Sequence, residues 1–432
     1  MSRKLHIGLS LSPTWLRGSA WRDTDSGVEH LLSPRFAIEL AQHAERAKLD
    51  FLFKPDSLFI EPKGLEHAPG MTSLDPIVQL AGLAQSTSHI GLVATASTTF
   101  VPPFIVARQL QSLHWLSDGR AGWNIVTALD GERNFGIPAM PSAEWRYERA
   151  AEFVEVVQKL WRSYPADAIK REREAGQFAD SQTVSAINHH GKHFTVEGPL
   201  TLPMHSAGPP PLFQAGASPT GRDFAASLAT GIFASTPDKA AAIALRQDLR
   251  ERAQRFGRLP SHIKLMPGLG LLLSKNRSEA QDRFRERQCG LDLEPRYRFI
   301  ENSLGVDIRA LPLNAPIPER LVTGINPNAR SRTHAALLLR LIQMENPTIA
   351  QLLARPEASG SSHWQVVGTP LDAADAICDW FAAGALDGII ALPASLPSLR
   401  LFLDETVPVL VERDIFRKDY TGTTLAQHLG LR

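Results

Sequence analysis

Cysteine is almost missing from this chain: among 432 residues there are two, Cys289 and Cys378, far apart in sequence. That excludes a disulfide framework and a cysteine-based zinc site, and makes a reduced, cytoplasmic setting the simplest expectation. Net charge is equally scarce. Lys and Arg number 46 against 45 Asp and Glu, a formal balance of +1. Such a balance gives no electrostatic case for a nucleic acid or an anionic membrane as partner. No apolar run approaches the ~18 residues that a membrane span needs. The opening MSRKLHIGLSLSPTW runs directly into a strand-like segment, without the apolar stretch and small-residue cleavage site of a signal peptide. Several catalytic signatures are also missing. No G-x-x-x-x-G-K-[ST] loop and no G-x-S-x-G elbow occurs, which disfavours P-loop nucleotide hydrolysis and hydrolysis by a serine nucleophile.

What is present is a globular composition, 43% apolar with well-mixed charge, and a regular alternation of two periods. Short apolar runs read as strands: Leu5–Ser12, Leu49–Asp56, His89–Thr98, Gly119–Thr127, PLFQAG, GIFAS, IKLMPGLGLLLS and Asp387–Pro393. Between them, helical spacing covers Pro34–Lys48, Leu74–Ser86, Pro103–Leu116, Glu144–Trp161, Pro219–Thr230, Pro237–Phe256, Ser278–Gln288, Ser331–Met344 and Leu371–Ala383. The strands are apolar throughout rather than alternating, as in a parallel sheet covered on both faces. The pattern predicts one (β/α)8 TIM barrel spanning residues 1–432. Two polar, irregular stretches interrupt it as long insertions, about 165–211 and 291–330, and a polar tail closes it. The competing open doubly wound sheet lacks its marker, a G-x-G-x-x-G turn opening the first helix. The G-x-G of PGLGLLL lies inside an apolar strand and has no third glycine.

In such a barrel the chemistry sits at the C-terminal ends of the strands. That singles out Asp56 after strand two, Thr98 and Thr99 after strand three, and Asn124 in strand four. Trp123, next to Asn124, faces the opposite side, because strand residues alternate. QAGASPTG after strand five is an anion-binding signal. Gly216 permits close backbone approach, Ser218 stands at a helix N-cap and Pro219 at the first helical position. Free N–H groups there favour a phosphate, and Arg222 one turn on adds positive charge. An ordinary capped helix accounts for the same residues. Asp56 has no second carboxylate at useful spacing, so a two-carboxylate mechanism is unsupported. His189, His190 and His193 in NHHGKHF imitate a metal cluster, but Gly191 and the absence of an H-E-x-x-H pattern favour a solvated hairpin. No residue stands out as an acid–base catalyst.

GRAGWNIVTALDGERNFG (Gly119–Gly136) resembles the signature of the bacterial-luciferase-like flavin monooxygenases. It is nearest to the nitrilotriacetate, dibenzothiophene-sulfone and long-chain-alkane monooxygenase branch. FLFKPDSLF, LVATASTTFVPPFIVARQLQSLHWLSDGRAGWN, HHGKHFTVEGPL, PLFQAGASPTGRDFAA and the tail VPVLVERDIFRKDYTGTTLAQHLGL fit the same branch, in the same order. The resemblance implies a TIM barrel and reduced FMN supplied by a separate NAD(P)H:flavin reductase. It implies transfer of one oxygen atom from O2 to a small organic substrate through a peroxyflavin, and a homodimeric or homotetrameric assembly. It places Asp56 and Thr98 along the flavin ring, Asn124 in the matching strand motif, Tyr147 toward the ribityl chain or phosphate, and Ala217 with Ser218 at the phosphate. The family's histidine four residues before that tyrosine is replaced here by Ala143. Relatives in the superfamily that use a deazaflavin, and others that bind flavin without turnover, supply the alternatives. The insertions are placed to cover the site and exclude water, with surface elaboration or a dimer contact as the other reading. Trp15, Phe59 and Phe100 near strand ends suit an apolar or sulfur-containing substrate, and serve equally well as core.

Overall fold

The computed structural model describes residues 3–12, 14–16, 18–216, 218–360 and 362–431. Eight strands form its centre: β1 (His6–Ser10), β2 (Phe51–Lys54), β3 (Gly91–Ser97), β4 (Ala121–Val126), β5 (Leu212–Gln214), β6 (Gly231–Ala234), β7 (Lys264–Leu273) and β8 (Gly388–Pro393). Each pairs in parallel with its sequence neighbour, and β1 pairs with β8, so the sheet closes on itself. These are the eight apolar runs of the sequence, and the fold is the expected TIM barrel.

Four of the helix starts share one device. Ser33, Asp75, Ser218 and Thr369 each cap a helix with a side-chain oxygen, accepting the N–H three residues on, and a proline follows each of them. Proline fits the first helical position because its missing N–H has no partner there. These caps start α1 (Pro34–Arg46), α2 (Pro76–Ala84), α5 (Pro219–Leu228) and, later in the chain, Pro370–Ala382. Between α2 and α5 lie α3 (Pro103–Leu116) and α4 (Ala143–Arg162), and α6 (Lys239–Arg255) follows α5.

The two faces of each strand divide the core. Leu52, Leu92, Ala94, Trp123 and Ile125 pack outward in the sheet–helix core. Phe51, Phe53, Val93, Phe213, Met266 and Ile390 fill the barrel interior. Trp123 lies against Phe153 and Trp161 of α4 at ring-centroid distances of 6.0 and 6.3 Å, and its Nε1 donates to the Ala96 carbonyl at 3.1 Å. The indole is therefore structural.

The N-terminal end of the barrel is closed by the polar tail. Leu425 and Leu429 enter the interior cluster from below. Leu425 approaches Gly122 so closely that a Cβ there would lie 2.8 Å from its Cδ2. Tail polar groups hold the same end. Arg417 pairs with Asp50, which is fully buried and also accepts from Ile7 N–H at 2.7 Å and bonds His6 Nδ1 at 2.9 Å. Tyr420 donates to the Leu49 carbonyl at 2.7 Å. Burial alone raises the Asp50 pKa, but Arg417, His6 and the Ile7 N–H together bring it below the ordinary value.

The first insertion carries two small hairpins, Ile169–Glu172 with Gln177–Ala179, and His189–His190 with Thr195–Val196. The second hairpin is clamped to α4 by Glu152, which bonds His189 Nε2 at 3.0 Å and accepts N–H groups of His193 and Phe194 at 2.9 Å. Among the described residues no group of three or more His, Cys, Asp or Glu is placed to hold a metal, and no helix is long and apolar enough to cross a membrane. After β7 the chain builds a satellite core of its own. Ile300 and Leu304 of one helix pack there with Leu338, Leu341 and Ile342 of Arg332–Glu345 and with Leu352. The chain then adds a strand absent from the sequence reading, Trp364–Gly368, which pairs with the C-terminal half of β7.

Replacing Arg417 by Met leaves a buried carboxylate without its main cation and is expected to cost about 3–5 kcal/mol of stability, read from urea unfolding at pH 7. Because the folded Asp50 pKa lies below its unfolded value, this stabilisation is complete above the unfolded pKa and is lost as pH falls through the folded one. The gap between wild type and variant should therefore narrow in acid.

Candidate active site

The C-terminal rim collects the polar groups that the barrel interior lacks. Asn124 on β4 points inward. Its Nδ2 donates to Thr95 Oγ1 at 2.9 Å, across the β3–β4 ladder. Its Oδ1 is buried and accepts no hydrogen bond among the described residues. Thr98, just beyond β3, is fully buried; its backbone N–H and its hydroxyl both donate to the Val126 carbonyl, at 3.0 and 3.2 Å. Thr98 and Asn124 thus stand on one pair of strands.

Tyr147 and Ser218 form a second group. Ser218 caps α5, its Oγ accepting from Gly221 N–H at 3.1 Å. The Tyr147 ring meets Phe224 of α5 edge-on at 5.7 Å, which carries its hydroxyl to the start of that helix. A Cβ on Gly221 would lie 2.7 Å from the Tyr147 Oη and 3.1 Å from the Ser218 Oγ, and one on Gly216 would lie 2.9 Å from the same Oη. The glycines keep this cradle open. Ala217 lies outside the described residues. Arg222 does not turn its charge to the cradle alone: it pairs with Asp248 of α6 at 3.1 Å.

Asp56 keeps more local company. It accepts from Ser57 N–H at 2.9 Å, and its pKa is raised by burial and by Asp75, against the pull of Lys54. Its loop nevertheless docks on the loop after β4. Asn134 Nδ2 donates to the Leu58 carbonyl at 2.8 Å. Gly131, at φ 93°, passes so near that a Cβ there would lie 2.6 Å from the same oxygen. Gly131, with Asn134, therefore seats the Asp56 loop.

Two residues of this region escaped the sequence reading. Gln214 ends β5, on the side of the strand away from Phe213, and its Oε1 is buried without a partner. Its place as the first residue of QAGASPTG was the available signal. Arg146, beside Tyr147, is buried, donates to the Ala128 carbonyl at 2.6 Å, and has an unpartnered Nε. An arginine within a helix gives no such signal. Of the aromatic residues considered for the substrate, Trp15 is core, Phe59 is exposed, and Phe100 stacks on Phe135 at 4.6 Å.

Comparison with known proteins bears on the family of the chain. The sequence pattern of the luciferase-like monooxygenases matches residues 15–387. The chain belongs to that family. It is 37% identical to the N-acetyl-S-(2-succino)cysteine monooxygenase of Bacillus subtilis (strain 168), over 99% of this chain and 97% of that one. It is 36% identical to the dibenzothiophene-sulfone monooxygenase of Rhodococcus erythropolis, over 96% and 93%. It is 34% identical to nitrilotriacetate monooxygenase component A of Aminobacter aminovorans, over 100% and 97%. Among solved structures, a riboflavin lyase crystallised with modified FMN and riboflavin superposes with TM-score 0.86 at 29% identity, over 99% of this chain and 96% of that one. A long-chain alkane monooxygenase superposes with TM-score 0.84 at 27% identity, over 100% and 96%. The luciferase-like chain described here is accordingly an oxidoreductase of the monooxygenase kind, and its relatives support a flavin as cofactor.

Substituting Gly131 by Ala forces a side chain into the left-handed region and against the Leu58 carbonyl. It should cost about 1–3 kcal/mol, measured by chemical unfolding, with hydrogen exchange rising in both the Asp56 loop and the loop after β4.

Proposed function

We propose that this protein is the oxygenating component of a two-component system. It takes reduced FMN from a separate NAD(P)H:flavin reductase and uses O2 to place one oxygen atom in a small organic substrate. The observation that carries this reading is the cradle where the Tyr147 hydroxyl, the Ser218 cap and two glycines meet at the start of α5. Backbone N–H groups at a helix start, with hydroxyls beside them, favour a phosphate.

The remaining polar groups fit the rest of such a cofactor. A flavin presents ring N–H and ribityl hydroxyl donors as well as acceptors. The buried acceptor oxygens Asn124 Oδ1 and Gln214 Oε1 call for donors. Asp56 and Thr98 follow β2 and β3, the two strands that lead up to β4 in the barrel order, where they would border the ring. When bound, reduced FMN supplies the electrons for oxygen activation; the chain's part is to bind, orient and keep water out. Exclusion of water falls to the second insertion. Its Arg330 pairs with Asp130 on the loop after β4, so the segment that leaves the barrel after β7 reaches across to β4. The three relatives at 34–37% identity are named for a succinylated cysteine, a sulfone and an aminopolycarboxylate, which favours a small organosulfur or aminocarboxylate compound here over the alkane of the 27% identical structure.

Mixing the protein with FMN, NADH and a flavin reductase should give substrate-dependent oxygen uptake and a product carrying one oxygen atom from 18O2; failure to bind reduced FMN at micromolar concentration sinks the reading. Ser218→Ala should weaken binding of reduced FMN by ~1–3 kcal/mol, the range for losing one partner of a charge-assisted hydrogen bond, and unchanged affinity counts against the phosphate site. Arg330→Ala should leave FMN affinity in place while raising the share of oxygen released as hydrogen peroxide, measured by a peroxidase-coupled assay.

A further inference from the structure

Between the strand ring and its helices, at the upper ends of β1 and β2, the core has a gap. Leu11 continues the outward row of β1. Lys54 follows Phe53, which fills the barrel interior, so alternation sends the lysine to the helix side as well. Both line a cavity whose other walls include Trp15 of the loop after β1, Phe36 and Leu40 of α1, and Gln79 of α2. The cavity thus lies off the barrel axis and shares no residue with the cradle at the start of α5. It has about 30 Å³ of space, where one water needs about 10–15 Å³. Ser73 and Leu74 at its edge are exposed and open it to solvent.

The polar groups of this wall lack what they need. Lys54 is only 3% exposed, and its ammonium donates to the Ser73 hydroxyl. Among the described residues no carboxylate stands within ion-pairing distance of it. Asp56 and Asp75 act on it only from further off, and burial holds its pKa below the ordinary lysine value. Trp15 Nε1 and Gln79 Oε1 are buried without a partner. Ser33, the cap of α1, borders the same space, so the positive end of that helix lies there too. Buried cations are ordinarily paired, and a buried indole N–H ordinarily finds an acceptor. Water would satisfy the indole and the amide but would leave the ammonium without a counter-charge.

We propose that this cavity is a binding site for a small hydroxycarboxylate. The carboxylate lies against the Lys54 ammonium and the Trp15 N–H, and the hydroxyl donates to Gln79 Oε1. The short apolar body rests on Leu11, Phe36 and Leu40. A site of few polar groups amid apolar walls orients a ligand through those groups. The assignment is independent of the flavin reading, because none of these residues belongs to the cradle.

The test is ligand-observed NMR and calorimetric titration of the full chain, with and without FMN, using lactate, propionate and isopropanol as probes. Lactate should bind best, propionate less well, and isopropanol about tenfold or more below lactate, the cost of leaving the ammonium unpaired. Lys54→Met should weaken lactate by a similar factor. Trp15→Phe, which keeps an aromatic ring and removes the N–H, should weaken it by a smaller one, and carries the test if Lys54→Met does not fold. Saturation with FMN should leave lactate affinity unchanged. Binding of no probe by the wild type means that the cavity holds water only and overturns the site. Equal affinity for all three probes overturns recognition of the carboxylate. Lactate affinity unchanged in Lys54→Met, or in Trp15→Phe, overturns the roles given to these residues, and displacement of lactate by FMN places the probe in the cofactor site and overturns the assignment.

Discussion

A carboxylate without access to water governs the lower end of this barrel. Asp50 lies just before β2 and has its oxygens shared among a backbone N–H of β1, a histidine of β1 and an arginine of the tail. Buried charge is tolerated only where every lone pair is used, so the two strands and the tail must arrive together. The same solution recurs around the ring. Asp387, before β8, takes two nitrogens of Arg246, one of Arg250 and the N–H of Leu265. Glu45 accepts three consecutive N–H groups ahead of β3. Arg120, before β4, donates to four carbonyls and the Thr87 hydroxyl. Strand register is thus set by ionic fittings at one end, leaving the other end free of that duty.

The freed end is where polar groups are left incomplete. There Asn124 Oδ1, Gln214 Oε1 and Arg146 Nε are buried with a bonding position unused. Unsatisfied buried groups are rare in native structures and call for an explanation. These three lie toward the start of α5 and the mouth of the barrel, which is where this fold places its chemistry.

Much of this was legible in the sequence because it is local. Continuous apolar runs gave the strands, the Ser-Pro pair gave the start of α5, and strict alternation separated Trp123 from Asn124. What escaped is long-range. HWQVVG has the β-branched residues of a strand, but its partner is the far half of β7, and nothing nearby in sequence announces it. The tail is polar in composition, and only its contacts with β3 and β4 and its place in the interior cluster reveal Leu425 and Leu429 as the floor. Helix Arg332–Glu345 has ordinary amphipathic spacing, which does not say whether its apolar face meets the barrel or the satellite core. Gln214 and Arg146 acquire meaning only when the partners they lack are known.

Asp130 and Gly131 are consecutive residues with separate allegiances. Asp130 receives Arg330 from the second insertion, and Gly131 abuts the Leu58 carbonyl of the loop that holds Asp56. A single peptide bond therefore separates the contact made by the insertion from the contact that seats the carboxylate loop, and a change at one reaches the other without passing through the barrel.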